Sequence, residues 1–372
     1  MNKPLKLGGE NRFHVVKRAE LPFKQTALLY ILAIVLALVA GGIFILCIGH
    51  NPFSFYATLI SGCFRSKLAF VALIKIIMPL LLTTLGVAVA FKMKFWNIGA
   101  EGQFIMGAIC ATYFALYWGD MPHFLLVIVM MLAGFVGGGI WGLIPAYFKC
   151  RFDTNETLLT LMLNYIALYI VQYLRDGPWR DPAAGGFLKI AKHPESAWLD
   201  KLFGIDITWV ICIILVVIMF IYLSYTKQGY EIAVVGDSHN TARYAGMNVK
   251  GIILRTMFIS AAVCGLAGML QVTGDATSHT LTMGIASGVG FTAIIVAWLA
   301  KLNPFGILLV STFFGILDKG SGVAESTFGL SSSVADVLQG IILFFILGLD
   351  FFIRYKIVIS KSEHEETKEA AK

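Results

Sequence analysis

The chain has 372 residues, 58% of them hydrophobic and only 14% charged, with a mean hydropathy of +0.79 and a formal net charge of +7. Soluble domains carry about 25% charged residues, so a water-soluble enzyme or nucleic-acid-binding domain is excluded. Several runs reach the ~20 apolar residues needed to cross a bilayer, which points to an all-α, polytopic membrane protein.

A basic stretch with Lys17, Arg18 and Lys24 precedes the first apolar run, near Thr26. That run is long enough for a true span rather than a cleaved leader. Ten spans are expected, at 26–48, 69–91, 97–118, 124–148, 155–174, 207–226, 252–272, 287–300, 304–317 and 334–353. The ninth is short and contains glycine, the pattern of a broken or tilted helix. Residues 50–66 are too polar to span and read as an interfacial helix. The membrane domain thus covers 26–353, between an N-terminal segment (1–25) and a short charged tail (354–372) that reads beyond Ser360 as disordered or a frayed helix.

Orientation follows from the placement of Lys and Arg. With the N-terminus inside, cytoplasmic segments hold about 20 of the 29 basic residues. These include Lys92/Lys94, Lys149/Arg151, the loop 227–255 and the tail with Arg354 and Lys356. The large outside loop, about 175–206, balances Arg175, Arg180, Lys189, Lys192 and Lys201 with five acids. An even span count puts both termini in the cytoplasm. The positive charge is then a topology signal.

The second and third spans are separated by Trp96-Asn97-Ile98-Gly99-Ala100-Glu101-Gly102-Gln103. Carboxylates and amides are costly in hydrocarbon, and irregular backbone persists at that depth only against protein or a wet cavity. A second break, Ser287-Gly288-Val289-Gly290-Phe291-Thr292, sits at the corresponding point of a weak internal echo between 78–118 and 256–300. Paired breaks of this kind mark the central site of repeat-built transporters. The plainer reading is a polar turn capped by Asn97, with glycines serving close helix packing.

Asn155, Glu156 and Asn164 open the fifth span and fall close to one helical face. In the loop 227–250, Asp237 or Ser238 can cap a short helix that Gly246 ends, presenting Asn240, Arg243 and Tyr244 to the cytosol. The six cysteines form no CxxC pair and read as small core residues. The seven histidines lack metal-ligand spacing, so no metal site is expected.

Together these segments resemble the permeases of nucleoside-type ABC transporters, within the simple-sugar and branched-chain amino-acid permease superfamily. Asn97-Ile-Gly-Ala-Glu-Gly-Gln103 is similar to one signature of that group. Asn155-Glu156 through Asn164-Tyr165 resembles a second, followed by Gly177-Pro178 and Asp181-Pro182. Thr241-Ala-Arg-Tyr-Ala-Gly246-Met-Asn248 resembles the coupling-loop motif. Gly265-Leu-Ala-Gly268, Gly288 to Ala297 and Asn303-Pro304 resemble the C-terminal signature. Val289, Ala293 and Trp298 stand where family members often carry Tyr, Gly and Leu, and Thr241 where Ala is common.

The resemblance implies a type II ABC importer fold with broken helices near its centre, in the bacterial cytoplasmic membrane. It implies two cytosolic ABC ATPase subunits as partners, a second permease subunit that is usually different, and an extracellular or periplasmic solute-binding lipoprotein. ATP and Mg²⁺ then belong to the ATPases; no cofactor is expected in this chain, which has no GxxxxGK[ST] loop. Candidate solute-path residues are Asn97, Glu101, Gln103, Asn155, Glu156, Asn164 and Phe291, the last able to stack on a base. The candidate ATPase-coupling residues are Asp237, Asn240, Arg243, Tyr244 and Gly246. The competing expectation is a proton-coupled secondary transporter of a small polar solute, with Glu101 or Glu156 as relay.

Overall fold

The computed structural model describes residues 13–17, 23–274, 279–331, part of 334–348, and 355–359. It divides into two compact units, Ser61–Lys319 and the combined ends Met1–Ile60 with Gly320–Lys372.

In the unit formed by the ends, α1 (Phe23–Cys47) meets α2 (Pro52–Phe64) at a bend of 112°. The turn holds Gly49 at φ +91°, a conformation glycine adopts without steric cost. Tyr56 Oη donates to Leu38 O at 2.8 Å, which closes the elbow. The expected interfacial helix at 50–66 is therefore the second limb of a bent pair. A strand β1 (Phe13–Lys17) pairs antiparallel with a strand from the tail (Tyr355–Ile359). Residues of the N-terminal segment and tail thus contribute a small two-stranded sheet to a mainly helical structure. The tail beyond Ser360 lies outside the described residues.

The larger unit runs through α3 (Lys67–Lys92), α4 (Ala100–Tyr117), α5 (His123–Phe152), α6 (Glu156–Asp176), α7 (Thr208–Tyr225), α8 (Lys227–Asp237), α9 (His239–Tyr244), α10 (Val249–Thr273) and α11 (Val289–Leu299). It ends within α12 (Pro304–Phe328). A hairpin, β2 (Lys201–Leu202) with β3 (Ile205–Asp206), lies in the large loop before α7. The strand at 355–359 is accordingly β4.

At the centre is α10, in which every residue from Ser260 to Leu270 is buried. A helix apolar on all sides belongs inside a bundle. It packs on α5, α4 and α3, and small residues make that approach possible. A Cβ on Gly265 would strike the α5 backbone at Gly134 and Gly138, and one on Gly268 would strike α4 at Phe104. Ser260 Oγ donates to Gly86 O at 2.7 Å and ties α10 to α3. By contrast, α7 turns Ile213, Ile214, Val217, Ile218 and Ile221 outward, a surface suited to lipid.

Among the described residues six helices are long and apolar enough to cross a membrane, or seven if the α1–α2 pair is one span. Ten were expected, and the difference has three sources. The α4 helix lowers its hydropathy by carrying Glu101 and Gln103 in its first turn. The α11 helix has only 11 residues, about 16 Å at 1.5 Å per residue, or half a hydrocarbon core. The expected span at 334–353 lies partly outside the described residues. The ninth expected span is not short: α12 has 25 residues and runs on to Phe328.

Candidate functional site

The chain leaves α3 at Lys92, passes Lys94 at φ +57°, and enters α4 at Ala100. Lys94 and Trp96 of the connecting turn are exposed, whereas Asn97 and Gly99 are buried and bonded within the protein. Asn97 Oδ1 accepts from Gly99 N and from Gln103 Nε2, each at 3.0 Å. Asn97 Nδ2 donates back to Gln103 Oε1 at 3.0 Å. The two side chains form a reciprocal amide pair, 0% and 1% exposed. The N-cap residue of α4 is Gly99, which has no side chain to offer; Asn97 instead fixes the turn just before the helix, and the first-turn amide of Gly102 is met from α6.

From α6, Thr160 Oγ1 accepts from Ile98 N at 3.2 Å. Asn164 Nδ2 donates to Ile98 O at 2.9 Å, and Asn164 Oδ1 accepts from Gly102 N at 2.8 Å. Asn164 thus satisfies a donor and an acceptor that the break would otherwise leave orphaned in an apolar setting, where each costs several kcal/mol.

The two breaks expected from sequence are joined by Glu101. Its Oε1 accepts from Gly288 N at 2.8 Å and its Oε2 from Gly290 N at 2.7 Å. A carboxylate at a helix N-terminus meets both unpaired amides and the positive end of the helix dipole. Gly288, at φ +80°, is the cap position of α11, and a Cβ on Gly290 would collide with the backbone of Glu101. At the other end of α11, Trp298 stacks on Trp96 with centroids 5.7 Å apart and planes at 25°, and Phe91 packs against both. The half-span α11 is therefore held at both ends by residues flanking the first break.

The other candidate path residues lie elsewhere. Asn155 is the exposed N-cap of α6, accepting from Leu158 N at 3.2 Å. Glu156 faces the end of α5, where Lys149 Nζ lies 3.1 Å away. Phe291, in the first turn of α11, is 43% exposed.

The sequence reading passed over a stripe on α6. Tyr165, Tyr169 and Tyr173 are 55%, 64% and 70% exposed at successive i, i+4 positions. Their spacing was the available signal. Unlike the aliphatic face of α7, this face presents hydroxyls, which hydrocarbon cannot satisfy.

Toward the expected cytoplasmic side, Ser238 caps α9 by accepting from Thr241 N at 3.2 Å. Gly246 leaves the helix at φ +75°. Asn240, Arg243 and Tyr244 are exposed, Tyr244 to 93%. Asp237 ends α8 and lies 3.6 Å from Lys94, both at the surface, so that ion pair contributes little.

On the opposite side, the loop 177–206 is tied down at several points. Ser196 Oγ donates to Gly119 O at 2.6 Å, and His193 N donates to His279 O at 2.9 Å. Trp198 stacks on the His279 ring at 4.1 Å with planes 8° apart, and its Nε1 donates to His193 O. His193 is 2% exposed, and neither ring nitrogen has a hydrogen-bond partner among the described residues. Burial, reinforced by the neighbouring His279, pushes its pKa down to about 4.

Residues 69–347 match the family described as branched-chain amino acid transport system / permease component. The chain belongs to that permease family. As an ABC permease it is a multi-pass transport subunit, not an enzyme. It is 32% identical to the guanosine ABC transporter permease protein NupP of Bacillus subtilis, over 85% of this chain and 91% of the relative. A second B. subtilis relative, the guanosine ABC transporter permease protein NupQ, is 29% identical over 64% of this chain and 76% of its own. The glucose ABC transporter permease protein TsgB13 of Haloferax volcanii is 27% identical over 89% of both chains.

Proposed function

We propose that this permease is one subunit of an ATP-driven importer that moves nucleosides, or a related ribosyl or sugar solute, across the bacterial cytoplasmic membrane. The observation that carries this reading is the 32% identity to a guanosine permease along 85% of the chain. Two guanosine permeases from one organism both resemble the chain, which supports pairing with a second, different permease subunit. Two cytosolic ATPases would bind ATP and Mg²⁺ and dock on α9 through Asn240, Arg243 and Tyr244. A lipoprotein or periplasmic receptor would deliver solute on the side of the 175–206 loop. The concentration of Lys and Arg at 92–94, 149–151 and 227–250 supports a cytosolic position for those segments and for both termini.

The tyrosine stripe of α6 and Phe291 fit a solute with a flat base or sugar face, because each offers an aromatic surface and the tyrosines add hydroxyls. Asn97, Glu101, Gln103 and Asn164 shape the path by positioning α4, α6 and α11 instead of contacting solute. ABC-family membership, and the engagement of Glu101 with two fixed amides, favour ATP drive over a proton relay.

The test is uptake by the full complex reconstituted in vesicles, with guanosine, glucose and a pentose offered in turn. Uptake should need ATP, be inhibited by vanadate and survive an uncoupler; the reverse sensitivities would overturn the reading. Phe291→Leu keeps apolar bulk and loses the aromatic face. It should weaken nucleoside uptake several-fold, in keeping with ~1–3 kcal/mol per stacked base, and leave sugar uptake intact. Unchanged nucleoside uptake would remove Phe291 from the path.

A further inference from the structure

Where α5 ends, an open groove of about 960 Å³ is lined by Lys149, Arg151, Asp153, His239, Arg243 and Lys250, with Val249 and Ile253 among its apolar lining. Four cations thus face one carboxylate. That carboxylate is already committed, since Lys149 Nζ lies 2.9 Å from Asp153 Oδ1 and holds its pKa below the usual range. Lys149 is further occupied by Glu156 at 3.1 Å. Among the described residues, Arg151, Arg243 and Lys250 have no carboxylate partner. The N-terminus of α10, a 25-residue helix whose first residues are Val249 and Lys250, adds partial positive charge. Cys150 Sγ donates to Lys250 O at 3.8 Å and links the two walls.

The rim differs from that of a soluble-anion site. Tyr147, Phe148 and Phe152, on the last turns of the same membrane-spanning helix, are 54%, 40% and 62% exposed. The Phe148 and Phe152 rings lie 5.7 Å apart. Tyrosine at a helix end, as at Tyr147, belongs to the level where headgroups meet hydrocarbon, and Phe152, against which Phe148 packs, lines the groove itself. Cations and apolar rings therefore meet at one depth, and an amphiphile matches both.

We propose that this groove binds an anionic phospholipid of the inner leaflet, with its phosphodiester on Arg151 and Lys250 and the start of its acyl chains against Phe148 and Phe152. The proposal rests on the cytosolic orientation given above. Basic pockets between membrane helices on that side bind anionic headgroups by charge, with each Lys or Arg near the surface worth about 1 kcal/mol. The bound lipid bridges the end of α5 to the start of α10, beside α9.

The experiment uses the assembled complex in nanodiscs of phosphatidylcholine with or without phosphatidylglycerol, and native mass spectrometry to count retained lipid. Wild type should retain phosphatidylglycerol and show a higher thermal midpoint in its presence. Arg151→Gln with Lys250→Gln should weaken retention by about fivefold per cation, hence about 25-fold together. Phe148→Ser should weaken it with all charges intact. Equal retention in the double variant would overturn the proposal, as would equal stabilisation of wild type by inorganic phosphate, which would make the site one for soluble anions. Loss of ATPase co-purification with lipid retention unchanged would make it a protein-docking surface. Orientation is read separately: in a background without other cysteines, labelling of Asn240→Cys by an impermeant reagent from outside intact cells would sink the topology while leaving the lipid count as measured.

Discussion

Around the break between α3 and α4, Asn97, Glu101 and Gln103, with Asn164 from α6, are between 0% and 8% exposed, and each is bonded to backbone or to another of the group. On α9, Asn240, Arg243 and Tyr244 stand in solvent. Both regions are polar and both carry a signature of the family, but their chemistry runs in opposite directions. A buried polar group must find a partner inside the protein, because hydrocarbon offers none. Its bonds then fix geometry and leave little to give to a ligand. A polar group in water loses nothing by waiting, and remains free for another chain. The polar residues of the break are therefore spent on shape, and those of α9 stay available for the contact proposed above.

The largest effect of a single substitution is expected at Glu101. Glu101→Ala should leave the amides of Gly288 and Gly290 without acceptors, at ~1–3 kcal/mol each, and so cost about 2–6 kcal/mol in the stability of the assembled complex. Glu101→Gln, with one remaining acceptor, should fall between Ala and wild type in both thermal stability and uptake. If Gln assembles normally yet transports as poorly as Ala, the carboxylate has a role in charge transfer and the structural reading fails.

The buried imidazole of the 177–206 loop gives an effect of similar size that depends on pH. An unfolded histidine takes up a proton near pH 6.5, whereas His193 in the fold does so near 4. As pH falls through that window the unfolded state binds more protons than the folded one. Stability should then decline from about pH 6.5 to about 4, by at most ~3 kcal/mol. His193→Gln should flatten that part of the profile, read as the difference in melting or protease resistance of the 177–206 loop between variant and wild type. Superimposable pH profiles would remove His193 as the source.

Trp298→Leu tests the second anchor of α11. Loss of the stack on Trp96 should cost about 1 kcal/mol, the usual value of such a pair, with uptake reduced less than by Glu101→Ala. A loss as large as that of Glu101→Ala would mean the two anchors are not separable.

The smallest effect on stability, and the sharpest on function, is expected at α9. Arg243→Glu and Tyr244→Ala should change stability by less than ~0.5 kcal/mol, as for exposed sites away from caps or packing. Both should lose co-purifying ATPase and uptake. Retention of ATPase and normal uptake in both would end the assignment of this helix as the dock.

Much of this was legible locally. Ser238 as a cap and Gly246 as a stop follow from two residue types at the right spacing. The breaks at Asn97–Gln103 and Ser287–Thr292 announced themselves as polar and glycine-rich interruptions of apolar runs. The length of α12 was misread because its glycines and its charged Asp318 and Lys319 resemble an ending, while neighbours in the fold sustain the helix. The tyrosine stripe of α6 was missed for the opposite reason: periodicity showed a face but not whether neighbours cover it.

By itself the sequence determined the class of molecule, the course of most helices and the positions of the two breaks, because hydropathy and capping act over a few residues. Only the tertiary structure decided what the polar residues are for. The bonds from Glu101 to Gly288 and Gly290 span 187 and 189 residues, and Asn164 reaches Gly102 across 62. Such bonds exist only after the close-packed glycines of α4, α5 and α10 have brought those helices together and delivered the N-terminus of α11 to the first break. No local pattern encodes that adjacency, since a carboxylate that caps a distant helix and one that meets a solute look the same along the chain.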